Sequence, residues 1–130
     1  MIEAEAAETL WRAEELVLTT TGRRTGRPHR VTLWFVYDGS AIWLRTDAVT
    51  DWYKNLERDA RCRVAAAGVE LEAQRVAVQD EPDALRRLVD LLRAKYGAEW
   101  VADWYVERGR IPVRLRVDAA ASPSSSPRTG

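Results

Sequence analysis

The chain has 130 residues, 46% of them hydrophobic, enough to bury one core and too few for two. Its 20 basic and 20 acidic residues cancel, which argues against a surface built to wrap a polyanion. A lone cysteine, Cys62, excludes an internal disulfide. With no opening signal-like segment and no apolar run of about 18 residues, the expected compartment is the cytoplasm, with no membrane span.

Charge is nevertheless local: residues 3 to 15 hold five glutamates against Arg12, and residues 23 to 30 hold four arginines and no acid. In EAEAAETLWRAEELVL, the spacing of Ala7, Leu10, Trp11 and Val17 predicts an acidic helix running into a strand around Leu16 to Thr21. The polar knot GRRTGR then turns the chain. Val31, Leu33, Phe35 and Tyr37 alternate with Thr32, Trp34 and Val36, a strand apolar on both faces, which needs barrel-like closure or a layer packed outside it. Asp38-Gly39 is a hairpin signal into AIWLRT.

DAVTDWYKNLERD reads as a short helix lying across a barrel end. From Arg61 the period returns to two, with Cys62, Val64 and Ala66 on one side and Arg61 and Arg63 on the other, and Gly68 marks a turn. In ELEAQRVAVQD the inward set slips phase between Ala73 and Val76, predicting a bulge near Gln74. Asp80, Pro82 and Asp83 start a helix whose stripe is Leu85, Leu88, Val89, Leu92 and Tyr96, closed by Gly97. AEWVADWYVERG predicts a second short helix, IPVRLRV a last strand, and AAASPSSSPRTG a disordered tail. The sum is one domain over residues 1–118 and a tail over 119–130. No parallel crossover unit is present, so the fold class is mainly β, a mostly antiparallel small barrel with added helices.

Gly22 and Gly26 make neither a phosphate-binding Walker loop nor a GxGxxG turn, because the spacing and the following residues are wrong. The arginine cluster is either a solvated hairpin tip or a fork for phosphate and carboxylate oxygens. One histidine, His29, and one cysteine leave no set for a transition metal, so no metal is expected. Cys62 falls on an apolar strand face, where a thiol is buried and inert. Glu70 and Glu72 form a solvent-facing stripe. Trp100 and Trp104 share one helical face and Tyr105 lies on another; core packing and a cover over a site are both open. With no acid-base, nucleophilic or metal set, chemistry here requires a cofactor that carries it.

LTTTGRRTGRPHRVTLWFVYDG followed by TDWYKNLERDARCRV resembles the deazaflavin (coenzyme F-420)-dependent nitroreductase family, split-barrel relatives of pyridoxamine phosphate oxidase. The resemblance covers about residues 16 to 117 and rests on Thr19 to Thr21, Gly22 to Gly26, Leu33-Trp34 and Trp52 to Leu56. It implies an FMN-binding-like, six-stranded split barrel that transfers a hydride from reduced F-420 to a quinone, enone or nitroaromatic. By this resemblance the hairpin Gly22, Arg23, Arg24, Thr25, Gly26 and Arg27 meets the coenzyme's phosphate and carboxylate tail, and Pro28 begins the stretch to Leu33 that lines the edge of its ring. Val31, Thr32 and Leu33 line its ring, and Arg45, Thr46, Asp47, Trp52, Lys54 and Asn55 complete the site. Trp34, Trp100, Trp104 and Tyr105 face the acceptor, with Tyr105 or solvent as proton donor. Related FMN oxidases carry a Ser-Arg-Lys run where this chain has Asp51 and Trp52; an aspartate there repels a flavin phosphate, which favours F-420 over FMN. A homodimer is compatible with the resemblance. Two other classes stand beside it: a non-catalytic carrier of F-420, flavin or haem, and a nucleic-acid-binding barrel, which the single basic patch disfavours.

Overall fold

A computed structural model describes residues 3–97 and 110–120. In chain order these form α1 (Ala4–Arg12), β1 (Leu16–Thr21), β2 (Pro28–Leu33), β3 (Val36–Tyr37), β4 (Ala41–Asp47), α2 (Asp51–Arg58), β5 (Arg61–Ala66), β6 (Val69–Val76), α3 (Glu81–Tyr96) and β7 (Arg110–Ala120). The predicted helix over 98–109 lies outside the described residues. All strand pairs are antiparallel, in one sheet of order β2-β1-β5-β6-β7-β4-β3.

The inward side chains follow period two around this sheet. Leu16 and Leu18, Ile42 and Leu44, Cys62 and Val64, Leu71 and Ala73, and Val113 and Leu115 are all buried in a single cluster. Helix α2 plugs one barrel end with Trp52, Tyr53 and Leu56. Helix α1 adds Leu10 to the same core and sets Trp11 edge-on to Tyr37 at 5.5 Å. Helix α3 lies outside and buries Leu88, Val89 and Leu92 against Val36, Trp34 and Trp43. The two-faced apolar strand thus has both covers: Phe35 and Tyr37 point into the barrel, and Trp34 and Val36 point to α3.

Three expectations need correction. The single strand through Val31 to Tyr37 is broken at Trp34-Phe35, giving seven strands rather than six and a sheet that is not closed by hydrogen bonds. Its two halves serve opposite edges: β2 pairs with β1 over six rungs, and β3 pairs with β4 over two. A curled sheet cannot keep both pairings in one ladder, so the chain steps from one edge to the other. The irregularity in β6 lies between Leu71 and Ala73, not near Gln74, and the extra residue is on β7, where Ala120 and Val117 are the flanking partners. The apparent phase slip after Ala73 has another cause: Arg75 stands over the Tyr53 ring at 5.2 Å and donates to its hydroxyl at 3.3 Å. On α3 the buried stripe begins at Ala84, with Leu85 only partly covered. Asp80 caps this helix by accepting from the Asp83 amide at 3.2 Å.

Candidate functional site: a basic knot above a split between strand edges

The knot between β1 and β2 is a tight turn. Gly22 donates to the Arg27 carbonyl and Gly26 to the Gly22 carbonyl, each at 2.8 Å, and Thr25 Oγ1 accepts from the Arg27 amide at 3.1 Å. A side chain at Gly22 would stand 3.0 Å from both Arg27 O and Thr25 Oγ1, and Gly26 has φ +73°, so glycine is required twice.

The knot is bolted to α2. Asn55 is 2% exposed; its Oδ1 accepts from the Arg23 amide at 3.1 Å and from Arg23 Nη1 at 2.9 Å, while its Nδ2 donates to Thr20 Oγ1 at 3.1 Å. Arg23 Nη2 reaches the Asp51 carboxylate at 3.2 Å. The two stretches that carry the sequence resemblance are therefore partners in space. The negative charge of Asp51 is matched by Arg23 rather than left facing a ligand. Arg24, Arg27 and Arg30 are exposed, and no ion pair or side-chain hydrogen bond engages their guanidiniums among the described residues. Lys54 is also exposed; because α2 begins at Asp51, Lys54 stands a full turn inside the helix rather than at its start. Trp52, 5% exposed, is a floor residue packed in the barrel core.

Below the knot the barrel is open between two strand edges. β2 is one end of the sheet order, so its far edge has no strand partner, and β4 is paired by β3 only at Ile42 and Trp43. From Leu44 to Asp47 the edge of β4 facing β2 has no strand partner among the described residues. Continuing the β3–β4 count would set Leu33 against Thr46 and Thr32 against Asp47, but β2 stays with β1 and the two edges diverge. The result is a V with its apex at Trp34-Phe35 and its mouth toward the knot and α2. Val31, Thr32 and Leu33 stand on one arm, and Arg45, Thr46 and Asp47 on the other. Both arms present main-chain N–H and C=O groups to whatever lies between them.

At the mouth, Asp47 is ion-paired to Arg110, and its carbonyl accepts from the Thr50 hydroxyl at 3.1 Å. Thr46 and Thr50 share a hydroxyl–hydroxyl bond of 2.7 Å that ties the end of β4 to the start of α2. His29 Nδ1 is buried with no hydrogen-bond partner, beside this end of the barrel opposite Thr20. The His29 nitrogen was not among the predicted site residues; Asn55 was, as a cofactor contact, and its side chain is instead taken up by Arg23 and Thr20.

At the apex, Phe35 is released from both ladders and its main chain is satisfied from α3. The Tyr96 hydroxyl lies 3.2 Å from Phe35 N and 3.1 Å from Phe35 O, and donates to Glu14 O at 2.6 Å. Lys95 Nζ donates to Phe35 O at 3.0 Å and lies 3.8 Å from the Phe35 ring centroid. Burial pushes the Lys95 ammonium down to about 8, against a smaller upward pull from Glu14. The Tyr96 ring is stacked on Trp34 at 4.2 Å and 5°. Trp100, Trp104 and Tyr105 lie outside the described residues.

A separate open groove of about 530 Å³ lies on the outer faces of β1, β5 and β6, lined by Thr19, Arg30, Arg61, Arg63 and Glu72, and it takes only Gly26 and Pro28 from the predicted site residues. Arg63 and Glu72 pair across it at 2.8 Å, and Arg61 pairs with Asp59 at 3.3 Å, so two of its three arginines are already matched. The Cys62 thiol beside it is raised to about 12 by burial, with Glu72, Asp59 and Asp118 adding to the shift, which removes it as a nucleophile.

The solved structures most like this fold include conserved hypothetical protein Rv2991 from Mycobacterium tuberculosis, with 29% identity, a TM-score of 0.72, and 92% of this chain and 84% of that one covered. An F420 Reductase aligns at 18% identity and a TM-score of 0.70, over 88% of this chain and 94% of that one. A FAD-binding protein from Mesorhizobium loti aligns at 14% identity and a TM-score of 0.68, over 92% and 96%. No curated protein matches the sequence. At these identities the likeness to the F420 Reductase and the FAD-binding protein shows the split-barrel fold alone. The sequence profile of one family, F420H(2)-dependent quinone reductase, matches residues 1–118. This chain belongs to that family of oxidoreductases, whose cofactor is coenzyme F-420.

Proposed function

We propose that this protein reduces an electron-poor acceptor, a quinone, an enone or a nitroaromatic, with reduced F-420 held in the split between β2 and β4. The observation that carries the reading is the pair of unpartnered strand edges that open toward a basic knot whose Arg24 and Arg27 are unengaged. The donor set suits the coenzyme: guanidinium forks match phosphate and carboxylate oxygens, and bare main-chain edges match the amide-like rim of a deazaflavin.

In this reading Arg24 and Arg27 hold the anionic tail, and Gly22 and Gly26 let the main chain approach it. Arg23 acts from behind by fixing the knot to Asp51 and Asn55. Val31 to Leu33 and Arg45 to Asp47 orient the ring, and the buried Trp52 beneath them keeps water from that side. When bound in its reduced form, the coenzyme supplies a hydride to the acceptor. The chain itself contributes orientation and exclusion of solvent.

The test mixes the protein with F-420 and, separately, with FMN, removes free dye by desalting, and then follows reduced F-420 in the presence of menadione. Retention of F-420 and oxidation faster than that of free coenzyme are expected. Retention of FMN in preference to F-420 contradicts the cofactor assignment. Retained F-420 with no acceleration by any quinone, enone or nitro compound makes the protein a carrier.

A further inference from the structure

We infer that Tyr96 is a positioning residue for the reaction, pinning the apex of the split and so setting the angle at which β2 and β4 diverge. The inference rests on the reading of the split as the coenzyme site. A strand that leaves one ladder for another leaves at least one residue with an unpaired main chain, and here that residue is Phe35. Its N–H donates to the Tyr96 hydroxyl, whose single proton is shared between Glu14 O, in the link between α1 and β1, and Phe35 O, and Phe35 O also accepts from Lys95 Nζ. The same ring lies flat on Trp34, the other residue of the break. One side chain of α3 therefore fixes both residues of the step and the segment before β1, while standing at the closed end of the V, away from the basic knot. The knot and the apex are separated by the length of β2, about 20 Å for six residues. A change at the apex alters the spacing of the two arms and leaves the tail clamp in place.

Two variants separate this role from simple packing. Tyr96→Phe keeps the stacked ring and removes the three hydroxyl contacts. With F-420 saturating and menadione as acceptor, kcat should fall about threefold to tenfold, the scale of one hydrogen bond, while the F-420 dissociation constant moves less than about twofold. Hydrogen exchange at the Phe35 amide should rise in the same variant. Lys95→Met, which removes the remaining bond to Phe35 O but not the hydroxyl, should leave kcat within about twofold.

A Tyr96→Phe protein whose Phe35 amide exchanges faster but whose kcat is unchanged overturns the inference, since the hydroxyl then serves the fold alone. Loss of F-420 affinity in parallel with kcat also overturns it, because the site has then collapsed rather than shifted. If the unaltered protein binds no F-420, the reading of the split itself fails, an outcome distinct from a silent Tyr96→Phe in an active protein.

Discussion

The two ends of the split are held by opposite kinds of chemistry. At the mouth, a buried amide, Asn55, and a guanidinium, Arg23, join two segments 32 residues apart through polar bonds only, and the remaining arginines stay outside, exposed. At the apex, aromatic rings and one hydroxyl join Phe35 to a helix 61 residues downstream, with little charge beyond Lys95. The polar end can be rigid and still offer charge to a ligand because its internal bonds use Arg23 and leave Arg24 and Arg27 exposed. The aromatic end offers nothing to a tail and everything to geometry. Under the proposed function, the contrast gives affinity and alignment to different ends of one cleft, so substitutions should separate them.

The largest effect is expected where the mouth is bolted. Asn55→Leu leaves the Arg23 amide and guanidinium and the Thr20 hydroxyl without their buried partner, and should cost about 2 to 4 kcal/mol in urea unfolding. A loss below about 1 kcal/mol would mean that water replaces the amide and that the knot is not rigid.

Removing Arg24 and Arg27 together breaks the comparison from the ligand side. The double Ala variant should weaken F-420 binding roughly tenfold to a hundredfold, the worth of one charge-assisted contact, with the unfolding free energy within about 0.5 kcal/mol of the parent. Unchanged affinity would reduce the knot to a solvated hairpin tip.

The apex has its own pH signature. Lys95 titrates at about 8 in the fold against 10.5 unfolded, so between these values the unfolded chain binds more protons and stability rises with pH. Below pH 8 both states are protonated and the penalty of burying the charge is present in full; it is relieved as pH climbs through the window. Discounted for a half-exposed ammonium, the gain is about 1 kcal/mol, and Lys95→Met should flatten it. A flat profile in the parent protein would show that the ammonium is fully solvated.

The smallest effect is a control on the outer groove. Arg63→Ala removes an exposed pair with Glu72 and should change stability by less than about 0.5 kcal/mol and F-420 affinity not at all. A clear loss of affinity would move the site to that face.

The knot and most strands were legible because their signals are local: glycines at fixed offsets, alternation in LVLTTT, RCRV and VRLRV, and Asp80 with Pro82 before an apolar stripe. The break at Trp34-Phe35 was not, since neither residue breaks a strand and the group that stabilises it, Tyr96, is read from sequence only as one more apolar position on α3. The misplaced bulge has the same origin. Arg75 sits at an inward position because Tyr53 on α2 receives its guanidinium, a pairing that no strand pattern announces. Among the expected site residues, Val31 to Leu33 and Arg45 to Asp47 were named through resemblance, and they fall on two strand edges that do not pair with each other. Arg23 was expected to clamp a ligand, yet its guanidinium is engaged with Asp51 and Asn55, which only tertiary packing reveals.

The most direct test of the central claim is hydrogen exchange on the full chain with and without F-420. Binding in the split should protect the free-edge amides of β2 and of Leu44 to Asp47, together with the knot, and leave β5 and β6 unchanged. Protection confined to β5 and β6, with both arms of the V exchanging as before, would contradict it.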